Sequence, residues 1–159
     1  MDSTDPARQL LRHTLATAAY RGGKALRGAP DSFASFTLGE GRSAAQLVAH
    51  LGDLYDWALS MAAGKMSWHD SVPLPWGEEV ARFFEALKKF DDYLASGEKI
   101  YSPLEGLFQG PVADSLTHIG QLAMMRRLAD CPIKGENYFV ADIAVGRVGE
   151  EQSAPRREF

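Results

Sequence analysis

The sequence predicts an all-α fold, a four-helix bundle, from three observations. Four long segments carry apolar residues at helical spacing, each is bounded by a capping or breaking residue, and no stretch alternates as a half-buried strand would. At 159 residues, with 45% hydrophobic and 24% charged residues, the chain has the size and composition of one globular domain. Such a length buries on the order of 70% of the unfolded surface and needs no staples. The bundle is expected over residues 1–148, with the charged, Pro-containing stretch 149–159 as a flexible tail.

The first helix is expected over residues 7–26, with Leu11, Leu15, Ala18 and Gly22 on one face, and stops at Gly28-Ala29-Pro30. The second follows Ser43, a good N-cap, and carries Leu47, Val48, Leu51, Leu54, Tyr55, Ala58 and Ala62 before Gly64. The third opens at Pro75-Trp76 and repeats Val80, Phe83, Phe84, Leu87, Phe90 and Leu94 before Gly97, a stripe that reads as core without polar intrusion. The fourth is expected from about Pro111, since proline suits a first helical turn, to Asp130 ahead of Cys131-Pro132, with a short helical piece at 138–145. The connections 28–42, 65–74 and 96–110 are longer than tight hairpins, and Ser71-Val72-Pro73-Leu74 favours extended backbone. Crossovers between parallel neighbours are therefore open to the chain.

Charge and motif content exclude several functions. The net charge is −4 and the basic residues cluster no further than adjacent pairs such as Arg156-Arg157, which argues against nucleic acid as a partner. The N-terminus is acidic and polar, unlike a signal peptide, and the most apolar stretch, 44–63, contains His50, Asp53 and Asp56, so no membrane span is expected. Cys131 is the single cysteine, which excludes an internal disulfide and a thiolate metal cluster and points to a cytoplasmic setting. Arg21-Gly22-Gly23-Lys24 lacks phosphate-loop spacing, so no nucleotide site is indicated.

The chemistry concentrates on Asp114 and His118. Four residues apart, they share one helix face, with Cβ atoms about 5–6 Å from each other. The face continues into Gln121, Leu122, Met125, Leu128 and Ala129, the stripe expected to enter the core, where a carboxylate and an imidazole need partners. His50, on the flank of the second helix's stripe, is placed to meet them. Two imidazoles and one carboxylate form a ligand set for zinc, iron or nickel, with positions left for a metal-bound water that could act as nucleophile. Gln121 suits orientation of a ligand or of that water.

The plainer alternative is an Asp114–His118 hydrogen bond, or Asp114 as a cap, with no metal. Asp53 and Asp56 read as solvated, and Arg126 and Arg127 as turned to solvent at the helix C-terminus. His13 and His69 lack spaced partners and read as surface or satisfied residues, Cys131 as a structural thiol, and Trp57, Trp68 and Trp76 as core or interface residues.

The segments Gln46-Leu-Val-Ala-His50-Leu-Gly-Asp-Leu and Asp114-Ser-Leu-Thr-His118-Ile-Gly-Gln-Leu resemble the DinB-like superfamily of metal-dependent four-helix bundles. The downstream run from Arg126 to Phe139 is similar to one branch of it. The resemblance implies an up-down-down-up bundle and a divalent metal (zinc, nickel, iron or manganese) held by one histidine of the second helix and two of the fourth. His50 matches the first position and His118 the last. Asp114 stands where many relatives carry histidine.

The implied activity is hydrolysis or transfer of a low-molecular-weight thiol, on a small-molecule substrate walled by 32–40 and 65–74. A homodimer through Phe33, Phe36, Trp68 or Trp76 is also implied. The competing expectation is a non-catalytic, stress-related bundle that binds a small ligand or protein partner without a functional metal. Dioxygen chemistry at a two-histidine, one-carboxylate iron is a third possibility.

Overall fold

The computed structural model describes residues 4–159, and all its regular elements are helical apart from one isolated bridge between Glu136 and Glu158. Helix α1 (Pro6–Leu26) is opened by Asp5, whose carboxylate accepts the Ala7 N–H, with proline at the first position. Helix α2 (Ala44–Ala62) starts with a complete capping box: Ser43 Oγ accepts the Gln46 N–H while Gln46 Oε1 accepts the Ser43 N–H. It stops at Gly64, whose φ of 75° suits glycine and whose bare Cα lies under the Tyr101 ring. Helix α3 (Trp76–Ala95) follows, with Glu78 and Glu79 in its first turn, where the helix dipole favours anions.

The fourth helical segment departs from expectation at its start. It begins at Leu104, as α4 (Leu104–Leu107), passes through a π-helical turn (Phe108–Val112) and continues as α5 (Ala113–Leu128). Pro111 therefore lies inside the run rather than at its head. The widened turn moves away the carbonyl that a proline ring would strike in a regular α-helix. The expected helix at 138–145 is a three-residue 3-10 turn, Tyr138–Val140.

Each helix packs beside two others: α1 and α2 each touch both α3 and α5. Arg12 near the start of α1 makes a two-point ion pair with Asp91 near the end of α3 (2.9 Å for both contacts), and Gly22 later in α1 receives the Phe83 ring. Arg82 early in α3 donates to the Ala49 carbonyl early in α2. On α5, Ser115 meets Tyr55 of α2 (2.5 Å), and Arg126 near its C-terminal end donates to the Ala25 carbonyl near the end of α1. Leu15, Leu51, Phe83, Phe90, Leu107 and Leu122 fill the centre with no exposed surface.

Three expectations about polar residues need correction. The α3 stripe is bordered by Glu79 and Asp91, both buried, because Arg82 and Arg12 reach in to neutralise them. Arg126 is buried rather than solvated. Its guanidinium satisfies the carbonyls of Ala25, Arg27 and Cys131, while Leu128, on the expected inner stripe, is half exposed. The stretch 149–159, expected to fray, is bonded back onto the bundle. Lys24 of α1, nearly buried, takes Glu136 (2.7 Å) and Glu158 (3.0 Å) as counter-ions, Tyr20 donates to Glu136, and Phe159 N–H donates to the Gly135 carbonyl. A buried ammonium needs such partners. Among the described residues no helix is long and apolar enough to cross a membrane.

Candidate metal centre

The seam between α2 and α5 brings His50, Asp114 and His118 together. Asp114 Oδ2 lies 3.4 Å from His118 Nε2 and 3.8 Å from His50 Nε2. The two imidazole rings stand nearly perpendicular, 83° apart, with centroids 4.8 Å from each other. All three ligand atoms fall within 4.8 Å of one another. Ligands at 2.0–2.1 Å from a common ion sit roughly 3.0–3.5 Å apart, so these atoms would have to close in before all three could share one ion.

The His118 ring is held from behind. Its Nδ1 is 2.7 Å from Gln121 Oε1, an acceptor, so Nδ1 carries the hydrogen and Nε2 turns its lone pair to the site. Gln121, three residues along the same helix, is the side chain that meets this ring nitrogen. Both imidazoles are mostly shielded, with side-chain exposures of 14% for His50 and 12% for His118, whereas Asp114 is 48% exposed. Asp114 is therefore not the buried carboxylate expected from its stripe; it closes the site from the solvent side. Burial holds the His50 imidazole below its ordinary pKa, Arg42 and His118 add to the effect, and Asp114 opposes it. The favoured neutral ring is the form that ligates metal.

Trp68, 43% exposed, sets its ring against His50 at 5.7 Å and against Trp57 at the same distance. Its contact with His50 was not anticipated. Two hollows flank the ligand set. One, about 290 Å³, lies beside His118 and Gln121 under Leu38 and Met124; the other, about 390 Å³, lies beside His50 against Asp70, Ser71 and Val72. Parts of 32–40 and 65–74 do border the site. Phe33, offered as an interface residue, is instead 2% exposed and packs edge-on against Trp76 in the core.

A second cluster was missed. Asp53, expected in solvent, is 3% exposed and accepts the Ser71 N–H (2.8 Å), the Ser71 hydroxyl (2.6 Å) and the Arg82 guanidinium. His69 Nε2 lies 3.0 Å from Asp53 and 3.4 Å from Asp56, so neither aspartate is free and His69 is not partnerless. Two carboxylates and an imidazole resemble a ligand set, but Arg82 stands among them and supplies the positive charge an ion would bring. The cluster is a clamp: Arg82 also holds Glu79, which accepts the Leu74 N–H, and together they fasten 65–74 to α2 and α3. The pairing depends on α2 and α3 lying side by side, which no local spacing reveals. His13 is exposed, as expected, and Cys131 is half-buried.

Comparison with protein-family models, with curated proteins and with solved structures finds no match to the chain.

Proposed function

We propose that the chain is a DinB-like, divalent-metal-dependent enzyme of the hydrolase or thiol S-transferase kind, acting on a small molecule. The convergence of His50 Nε2, His118 Nε2 and Asp114 Oδ2, with Gln121 behind His118, carries the reading. The end-to-end contacts of the helices support an up-down-down-up order: early α1 meets late α3, early α2 meets early α3, and late α1 meets late α5.

Bound there, zinc, nickel, iron or manganese would supply Lewis-acid activation of a water or a substrate thiol. His50 and His118 would contribute imidazole nitrogens, Asp114 would contribute a carboxylate oxygen and the negative charge, and the Trp68 ring packs against His50. A lone, half-buried Cys131 suits a reducing, cytoplasmic setting. The implied homodimer would have to use Phe36, Trp68 or Trp76, and a single-chain mass by light scattering would remove it.

The test is metal content by inductively coupled plasma mass spectrometry on untagged protein, with each ion offered in turn. One ion per chain is expected, with occupancy lost in His118→Ala. Gln121→Ala should keep the site but weaken it by about 10–100-fold. Saturating metal at a hundredfold over Kd should stabilise the wild type by about 2.7 kcal/mol and the His118→Ala protein not at all. No stoichiometric metal with any ion would overturn the reading and leave the non-catalytic bundle.

A further inference from the structure

Arg42 is exposed and, among the described residues, makes no hydrogen bond or ion pair, although it borders both hollows beside the ligand set and its charge is felt at His50. Arginines near acidic groups usually find them; this one faces a hollow instead. The hollow beside His118 is otherwise walled by Leu38, Leu47, Met124 and Met125, and two of these, Leu38 (48%) and Met124 (55%), leave large apolar area open to water at its mouth. Gln121 borders the same space, and with its Oε1 engaged by His118 its NH₂ remains a donor.

An apolar trough with one free guanidinium and one amide donor at its edge has the chemistry to hold an apolar chain by its length and an anionic head by its charge. Its volume of about 290 Å³ matches roughly ten non-hydrogen atoms at the ~30 Å³ each water occupies in the liquid. We propose that the substrate is a small amphipathic organic anion, an aliphatic carboxylate or near relative, whose head is paired by Arg42 and whose chain lies along Leu38 and Met124 beside His118. That this molecule is a substrate rests on the metal reading; that the trough binds it does not.

The experiment uses octanoate, octanol and octylamine as probes, titrated into chelator-treated, metal-free protein and followed by ¹H–¹⁵N chemical shifts. Octanoate should saturate, moving the amides of Leu38, Gly41, Arg42 and Met124, and bind at least about tenfold tighter than octanol, the ratio a charge-assisted hydrogen bond supplies. Octylamine should be the weakest. Arg42→Gln should bring octanoate down to the octanol level without changing metal content, and Leu38→Asp should weaken both. In metal-free His118→Ala, octanoate binding should persist, so loss of the metal and loss of the trough are read separately. Equal binding of octanoate and octanol, an unchanged Arg42→Gln protein, or no shift at these amides up to about 10 mM probe would overturn the assignment.

Discussion

Arg82→Met should lower stability by about 3–5 kcal/mol at neutral pH, the penalty for removing one partner from a buried ion pair. Two carboxylates lose their counter-ion together: Glu79, with no exposed surface, and Asp53, at 3%. Methionine keeps the stem of the side chain, so little packing is lost and the deficit is electrostatic. In a chain of this length the midpoint of thermal unfolding should fall by roughly 6–20 °C.

The effect also has a sign in pH. Burial pushes the Asp53 carboxyl up, but the hydrogen bonds from Ser71 and the Arg82 guanidinium outweigh it and hold the group below its ordinary value. A depressed folded pKa contributes stability that is present above the unfolded value, near 3.9, and disappears as pH falls through the folded one. The difference between wild type and Arg82→Met should therefore be widest near pH 7 and narrow as pH falls below the ordinary aspartate value toward the depressed one, where a protonated Asp53 no longer needs the guanidinium. Urea denaturation of both proteins at pH 7 and pH 3.5 measures this. A neutral-pH difference under about 1 kcal/mol, or one that widens in acid, would show that the clamp is not electrostatic.

Lys24→Met strikes the other buried charge cluster. Glu136 would keep the Tyr20 hydroxyl but lose the ammonium 2.7 Å away, and Glu158 would lose its tether. The expected cost is again about 3 kcal/mol or more, with an upper limit set by how strongly the C-terminal segment is docked. Beyond that limit the segment detaches and the bundle survives. The sensitive reading is consequently tryptic cleavage at Arg147, Arg156 and Arg157, which should accelerate at least tenfold while α1–α3 and α5 stay intact. Cleavage at the wild-type rate would mean that the backbone bonds of Asn137 and Phe159 hold the segment without Lys24.

The helices were legible because their evidence is local. Ser43 with Gln46, Pro75, Gly64 and the 3.6-residue stripes act over one or two turns, and α1, α2 and α3 start and stop within a residue or two of expectation. His50, Asp114 and His118 could be singled out for a similar reason, each being a polar residue beside an apolar stripe. The parts that stayed hidden depend on partners far along the chain. Lys24 meets Glu136 and Glu158 across 112 and 134 residues, and Asp53 meets Arg82 across 29. On a helical wheel, Asp53 and Arg126 look solvated because the wheel shows a residue's own helix and not the neighbour that satisfies it. Asp114 failed in the opposite sense: its stripe runs inward, yet its first turn sits at a seam open to water.

The π-helical turn at Phe108–Val112 works as an angular shim. Leu107 and Val112 are both fully buried although five residues separate them, a spacing that regular winding would splay by about 140°. The extra residue lets the segment before the turn and the segment after it face the same core, and it sets the azimuth at which Asp114 and His118 leave the axis. Winding the same residues at regular pitch, with no widened turn, would rotate Asp114 and His118 out of the seam with α2. The bundle could keep its helical content while His50 faced nothing. The meeting of His50, Asp114 and His118 is then a matter of rotational phase, set by one widened turn.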